Sequence, residues 1–315
     1  MHILVTGAAG FVGTHLVRSL LDGSMDCERV IGADCIASTH TDARFEPHVG
    51  NIADPDFVRS LVTPDIGLVF HLAGMVSGAA EANFDAGFAT NLDGTRLVLE
   101  ACRSLRTVPR IVVASSIAVF GQPLPQVILD STTPMPTLSY GTAKVIGEYL
   151  VDDYTRRGFV DGRAPRLSGV VVRPPAPNGA LSAFNSDLIR EPLAGRPLVS
   201  PVSAEARIWI QSIDSAVRNL IHAATTPTSE WGAHRTVTLP AVSVTIREIL
   251  DAVSRARGQD VWPLVKFAPD PVVEPMFGRW PKDHPSERAC AIGFTRDESI
   301  DSIIRDYQKA QCGSR

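Results

Sequence analysis

Tyr140 and Lys144 sit four residues apart in the segment Tyr140-Gly-Thr-Ala-Lys144. On a helix, that spacing puts both side chains on one face. An ammonium beneath a phenol favours phenolate and lowers its pKa. Such a phenol can act as a general base near neutral pH. The pair gains meaning from its company. Ser115 and Ser116 end an apolar run, with Ser116 24 residues before the tyrosine. A hydroxyl there can hydrogen-bond the reacting oxygen and hold it beside the phenol.

A second constellation is Thr6-Gly-Ala-Ala-Gly-Phe-Val-Gly13, with glycines at 7, 10 and 13. Gly7 permits a tight turn, Gly10 lets backbone approach a pyrophosphate, and Gly13 allows close helix–strand packing. Phe11 and Val12 open the helix whose free N–H groups would face the phosphates. Asp34 lies 21 residues past Gly13, at the end of the next apolar run. Its carboxylate can accept both ribose hydroxyls and would repel a 2′-phosphate. No arginine follows closely, which favours NAD over NADP. Gly50-Asn51-Ile52 and His71-Leu72-Ala73-Gly74 fall where strand-end loops line the adenine and ribose, so Asn51, Ile52, Leu72, Ala73 and Gly74 are cofactor candidates. His71 itself reads as a strand-end residue.

The elements that must position these residues follow from hydrophobic pattern. Short apolar runs at 2–6, 29–34, 67–71, 110–114 and 169–173 predict buried parallel strands. Helical spacing falls between them, at 11–21, 55–62, 81–105 and 139–157. The alternation predicts an α/β fold, a doubly wound parallel sheet of Rossmann type, over residues 1–175. Residues 176–315 predict a smaller substrate-binding lobe interleaved with that sheet, because no low-complexity linker separates them. This second part has helix-like stretches at 183–194, 212–224 and 245–257, and strand-like ones at 207–210 and 235–239.

Composition narrows the partners. The 30 Lys+Arg against 34 Asp+Glu give a net charge of −4, which offers no phosphate-neutralising surface for nucleic acid. No stretch is apolar for long enough to span a membrane. Five scattered cysteines without a CxxC pair fit neither a zinc site nor a disulfide framework, and suit a reducing, cytoplasmic setting. No secretory leader precedes the first strand, and no cluster has metal-ligand spacing.

The ordered motifs TGAAGFVG, HLAG, ASSIAVFG, SYGTAK and ARIWIQSIDSAV resemble the extended short-chain dehydrogenase/reductases, the branch of NAD-dependent epimerases and dehydratases. The resemblance selects Ser116 over Ser115 and implies the trio Ser116, Tyr140 and Lys144. It also implies a contact from Lys144 to the nicotinamide ribose, and places Asn91 close to the cofactor. Within that branch, the segments from SYGTAKVIGEYL to RLSG, VVVRPPAPN, SAFNSDLIREPLAG and RIWIQSIDSAVRNLIHAA are similar to the D-erythronate 2-dehydrogenase group. That similarity implies oxidation of the C2 hydroxyl of a four-carbon sugar acid. Two departures stand out: Ala176 replaces an expected lysine, and Asn51 an expected aspartate.

A buried carboxylate needs a partner, and an arginine fork matches it bidentately. Arg207 aligns with an arginine that the epimerases use for a diphosphate, so it is the candidate clamp, with Arg190 second. Ser77, Asn178 and Phe184 are pocket candidates by loop position. The resemblance further implies a homodimer in which the helices at 81–105 and 139–157 pair across a two-fold. Two other readings compete: a nucleoside-diphosphate-sugar epimerase with tightly held NAD, and a non-catalytic NAD-binding regulator. The mild net charge means that an anionic substrate must be gripped by one or two placed cations.

Overall fold

The structure is a computed structural model and describes residues 1–125, 127–175, 183–271, 273 and 282–313. Thirteen strands occur among them: β1 (His2–Thr6), β2 (Arg29–Asp34), β3 (Phe45–Val49), β4 (Ile66–His71), β5 (Arg110–Val113), β6 (Ser115–Ser116), β7 (Asp161–Leu167), β8 (Gly169–Val171), β9 (Leu198–Ser200), β10 (Arg207–Ser212), β11 (Thr236–Thr238), β12 (Val242–Thr245) and β13 (Val265–Phe267). The main sheet runs β3-β2-β1-β4-β5-β7-β11, with β6 also pairing with β7. All its pairings are parallel. The order reverses between β1 and β4, which opens a crevice at their carboxyl ends, the place where open α/β sheets bind ligands.

The apolar strands β1, β2, β4 and β5 are covered on both faces. One apolar cluster joins the sheet to the helices Phe11–Ser19 and Ile213–Thr225. Another joins it to Pro55–Leu61, Gly94–Arg103 and Ser139–Arg156. A third cluster fills the lobe, where the helices Phe184–Leu193, Ile246–Arg257 and Ile300–Gly313 pack with the sheet β12-β10-β8 and the pair β13-β9. Among the described residues, no helix is long and apolar enough to cross a membrane.

Three sequence expectations need correction. The run at 169–173 is not the fifth strand of the main sheet; β8 belongs to the lobe. The place is taken by β7, whose sequence Asp-Gly-Arg-Ala-Pro-Arg-Leu hides it because its charges are paired largely with residues remote in sequence. Asp161 pairs with Arg110 at 3.0 Å and Arg163 at 2.6 Å. Arg163 is fully buried, donates to Thr226 O at 3.0 Å and lies over the Trp231 ring. The second correction concerns β3, Phe-Glu-Pro-His-Val, whose edge position leaves it half polar. The third is the long helix at 81–105. It is broken at Asn83, whose side chain caps the next helix by accepting from Ala86 N, and from Phe84 it runs on to Arg103 through a wider turn at Ala89–Asp93.

The lobe and sheet are threaded through each other. β8 lies before residue 176 yet joins the lobe, and β11 lies after it yet closes the main sheet.

Arg166 on β7 donates to both oxygens of Glu148, at 2.8 and 2.7 Å, and Ser115 on β6 donates to the same carboxylate. The pair is buried. Removing one member of a buried pair strands the other charge, at a cost of about 3–5 kcal/mol. Glu148→Ala should therefore lose about that much in denaturant unfolding, and Glu148→Leu with Arg166→Met should recover most of it. An unchanged midpoint for Glu148→Ala would contradict this account.

Candidate active site

The crevice holds a cavity of about 300 Å³. Its floor is the glycine loop, from Gly7 to Gly13. Gly7 has φ +73°, and a Cβ there would stand 2.7 Å from Ala73 N. A Cβ on Gly13 would reach 2.0 Å from Gly7 O. At these two glycines helix and loop thus touch through backbone, where no side chain fits. The helix Phe11–Ser19 begins at Gly10 with no side-chain cap, so its first N–H groups stay available to an anion.

Asp34 ends β2 against this loop, where Oδ2 accepts from Ala9 N at 2.9 Å and Oδ1 from Ile36 N at 3.3 Å. Asn91 is buried and clamps the loop after β4. It accepts from Met75 N at 2.8 Å and donates to Met75 O at 3.0 Å. A buried relay connects these parts. Thr95 Oγ1 donates to Asn91 O at 2.7 Å, His71 Nε2 stands 3.0 Å from Thr95 Oγ1, and His71 Nδ1 stands 2.8 Å from Thr6 Oγ1. Because Thr95 spends its proton on Asn91, His71 must carry its proton on Nε2 and accept from Thr6. Burial, aided by Lys144, drives His71 down to about 3, so it remains neutral. It braces strand ends and has no acid–base duty.

The candidate reacting groups come from two elements. Ser116 ends β6, and its Oγ accepts from Ala118 N at 3.1 Å. Tyr140 and Lys144 rise from the helix Ser139–Arg156. Burial raises the Tyr140 phenol, while the hydrogen bond to Ser116 and the charge of Arg173 pull it back. Lys144 Nζ donates to Ala114 O at 2.8 Å and stands 5.7 Å from the Tyr140 ring centroid. Burial brings its ammonium down to about 8 against the opposing pull of Glu148. Arg173, which the sequence places only at the end of an apolar run, also borders this cavity. Ser115 is committed to Glu148, which leaves Ser116 as the hydroxyl beside Tyr140.

Of the sequence candidates, Gly7, Gly10, Phe11, Val12, Gly13, Leu72, Gly74, Ser77, Ser116, Tyr140, Lys144 and Arg207 all border the cavity. Others stand back from it. Ala73 packs behind Gly7, and Asn51 Oδ1 accepts from Ala53 N in a local turn. Ile52 is buried against Gly94. Phe184 is a correction: it is packed in the core of the lobe with Leu188 and Ile210, because its helix turns that face inward. Asn178 and Ala176 lie outside the described residues. Arg190 is engaged with Asp187, with Glu191 at 2.9 Å and with the backbone of Arg173, so it serves the lobe's own structure.

Sequence reasoning missed Arg173, Asn185, Trp209 and Lys282, which also line the cavity. Arg173 was visible as the last residue of an apolar run. Lys282 carried no signal, because it lies in an aperiodic, proline-rich stretch. Among the described residues, no group of three or more His, Cys, Asp or Glu side chains could hold a metal ion.

Comparison with known proteins agrees with this geometry. Residues 3–231 match the model of the NAD dependent epimerase/dehydratase family. The chain is 42% identical to a D-erythronate dehydrogenase of Cupriavidus necator and 36% identical to one of Haemophilus influenzae, in each case over 98% of both chains. A crystal structure from Agrobacterium tumefaciens, described as a nucleoside-diphosphate-sugar epimerase, superposes with a TM-score of 0.94 at 36% identity, over 100% of this chain and 95% of that one. An L-threonine dehydrogenase from Cupriavidus necator shares the fold at 22% identity, with a TM-score of 0.88, over 99% of this chain and 100% of that one. A glycine loop packed backbone to backbone, with an acid at the end of β2 beside it, suits a dinucleotide, and the chain belongs to the NAD dependent epimerase/dehydratase family, the extended short-chain dehydrogenase/reductases.

Proposed function

We propose that the protein oxidises the C2 hydroxyl of a four-carbon sugar acid of the D-erythronate type to the 2-keto acid. One observation carries the choice of an acid. Besides Lys144, the described residues lining the cavity include the half-buried Arg173 and Lys282, with Arg207 exposed at its rim, and no Asp or Glu. Cations gathered around a cavity without lining carboxylates fit an anionic substrate. The names of the relatives from Cupriavidus necator and Haemophilus influenzae support the same reading.

In this mechanism Tyr140, as phenolate, takes the C2 hydroxyl proton. Ser116 donates a hydrogen bond to the same oxygen and holds it at the phenol. Lys144, fixed by Ala114 O, keeps positive charge behind the pair. Bound NAD supplies the acceptor for the hydride that leaves C2. The glycine loop would hold its pyrophosphate, Asp34 its adenosine ribose, and Asn91 the loop beside it. The five cysteines are unpaired, which supports a reducing, cytoplasmic setting.

The direct test is NADH absorbance on mixing the protein with NAD and D-erythronate. Tyr140→Phe should cut kcat by about 10²–10⁴-fold while leaving NAD binding intact. An epimerase would instead retain NAD and show no net NADH. A regulator would bind NAD and turn over nothing, so that Tyr140→Phe would change nothing.

The pH dependence has a definite sign. Burial holds the Tyr140 phenol above its ordinary value, so the free enzyme is protonated there at neutral pH. Oxidation starts from phenolate, so log(kcat/KM) should rise with about unit slope through the neutral range. Reduction starts from the phenol and should not rise there. Ser116→Ala removes a hydrogen bond that lowers the phenol and should move the rising limb to higher pH. A limb that moves down or stays fixed would count against Ser116 as the phenol's partner.

We also propose a homodimer built on the helices near 81–105 and 139–157. Tyr149 and Phe84, both on those segments, are 64% and 57% exposed. Large apolar side chains so exposed often mark an interface. Sedimentation should give twice the chain mass, and Tyr149→Glu should shift the protein towards monomer.

A further inference from the structure

We propose that Arg173, and not Arg207, receives the carboxylate of the substrate. The inference rests on the sugar-acid reading above and names the cation within it. In a 2-hydroxy acid, the carboxylate carbon is bonded to the carbon that loses hydride. The cation that grips it must therefore sit beside the Tyr140 hydroxyl, and not at the cavity mouth.

Arg173 meets that condition. It is half-buried on the cavity wall between the sheet and the lobe. Its main chain is fixed from two sides: the N–H donates to Ser186 Oγ at 3.0 Å, and the carbonyl accepts from Arg190. Its Nε donates to Val170 O at 3.2 Å, and its guanidinium carbon lies 5.9 Å from the Phe11 ring centroid. These contacts orient the fork and leave its terminal nitrogens for a ligand. Among the described residues, no acid acts on Arg173, and it shares the cavity wall with Ser116 and Tyr140. A guanidinium stays charged at any working pH.

Arg207 is arranged differently. It is exposed at the start of β10, and its Nη1 donates to Ser243 O at 3.1 Å and lies 3.5 Å from Ser243 Oγ. Ser243 Oγ in turn donates to Lys282 O at 2.6 Å. Arg207 thus ties β10 to β12 and to the segment that brings Lys282 to the cavity. Its place is at the rim, where solvent screens charge.

The test compares wild type, Arg173→Met, Arg173→Lys and Arg207→Met with NAD and D-erythronate, and again with D-erythronamide. The amide keeps the hydroxyls and removes the charge. Arg173→Met should lower kcat/KM for the acid about 100-fold, mainly through KM, which matches the loss of a charge-assisted bidentate contact. Arg173→Lys should restore part, because it keeps the charge without the fork. Added guanidinium should restore part of the activity of Arg173→Met. Arg207→Met should change acid and amide to the same extent, and wild type and Arg173→Met should agree within about threefold on the amide. Equal losses on acid and amide, or full activity of Arg173→Met on the acid, would overturn the assignment while leaving the dehydrogenase reading in place. A second measurement separates the two failures: quenching of bound NADH fluorescence by oxamate, an unreactive keto-acid mimic. If wild type oxidises no four-carbon aldonate, the sugar-acid reading falls. Oxamate binding lost in Arg173→Met and partly kept in Arg173→Lys would still uphold a carboxylate site there. Oxamate binding equally to wild type and Arg173→Met would reject it.

Discussion

The bidentate pair between Glu148 and Arg166 is the interaction on which the site hangs. It sits one turn beyond Lys144 on the reacting helix, and it bolts that helix to β7 while holding Ser115 on β6. Ser116 comes from β6 while Tyr140 and Lys144 share the helix Ser139–Arg156, and the separation of hydroxyl and phenol is set where strand and helix meet. A short side chain such as Ser116 has no reach with which to correct an error. The ion pair fixes the distance between strand and helix, and the hydroxyl and phenol inherit it. The same carboxylate favours the charged form of Lys144, which burial otherwise disfavours. Mechanical and electrostatic roles are joined in one group.

A second constraint is backbone contact at the glycine loop. Gly7 and Gly13 approach so closely that any side chain would push the helix off the strand. The neutral His71 relay then carries that placement across to Thr95 and Asn91. A neutral histidine suits this work, since a charged one would lose an acceptor and sit unpaired next to Lys144.

How legible was all this in the sequence? The cofactor half was nearly explicit, because its chemistry demands particular residue types at fixed spacing: glycines where no Cβ fits, an acid at the end of a strand, and a phenol and ammonium one turn apart. The substrate half was obscure. Arg173 is separated in sequence from everything it faces, and Lys282 arrives from a stretch without periodicity. Phe184 looked like a pocket residue by position but is turned inward by its helix. The fold was readable where strands are apolar and unreadable at β7, where buried arginines imitate a surface segment. Burial there is made possible by partners distant in sequence, and no local pattern announces them.

That strand has a consequence for the life of the chain before it folds. An interior strand of an all-parallel sheet is usually a greasy, sticky segment, a hazard while the protein is still being made. Asp161–Leu167 carries three charges and a proline in seven residues. Unfolded, it is well hydrated and a poor template for pairing with another copy. It becomes strand-like only when Arg110, Glu148, Thr226 and Trp231 are in place to receive it. This side of the sheet is thereby protected from misassembly, and its completion is made conditional on correct neighbours.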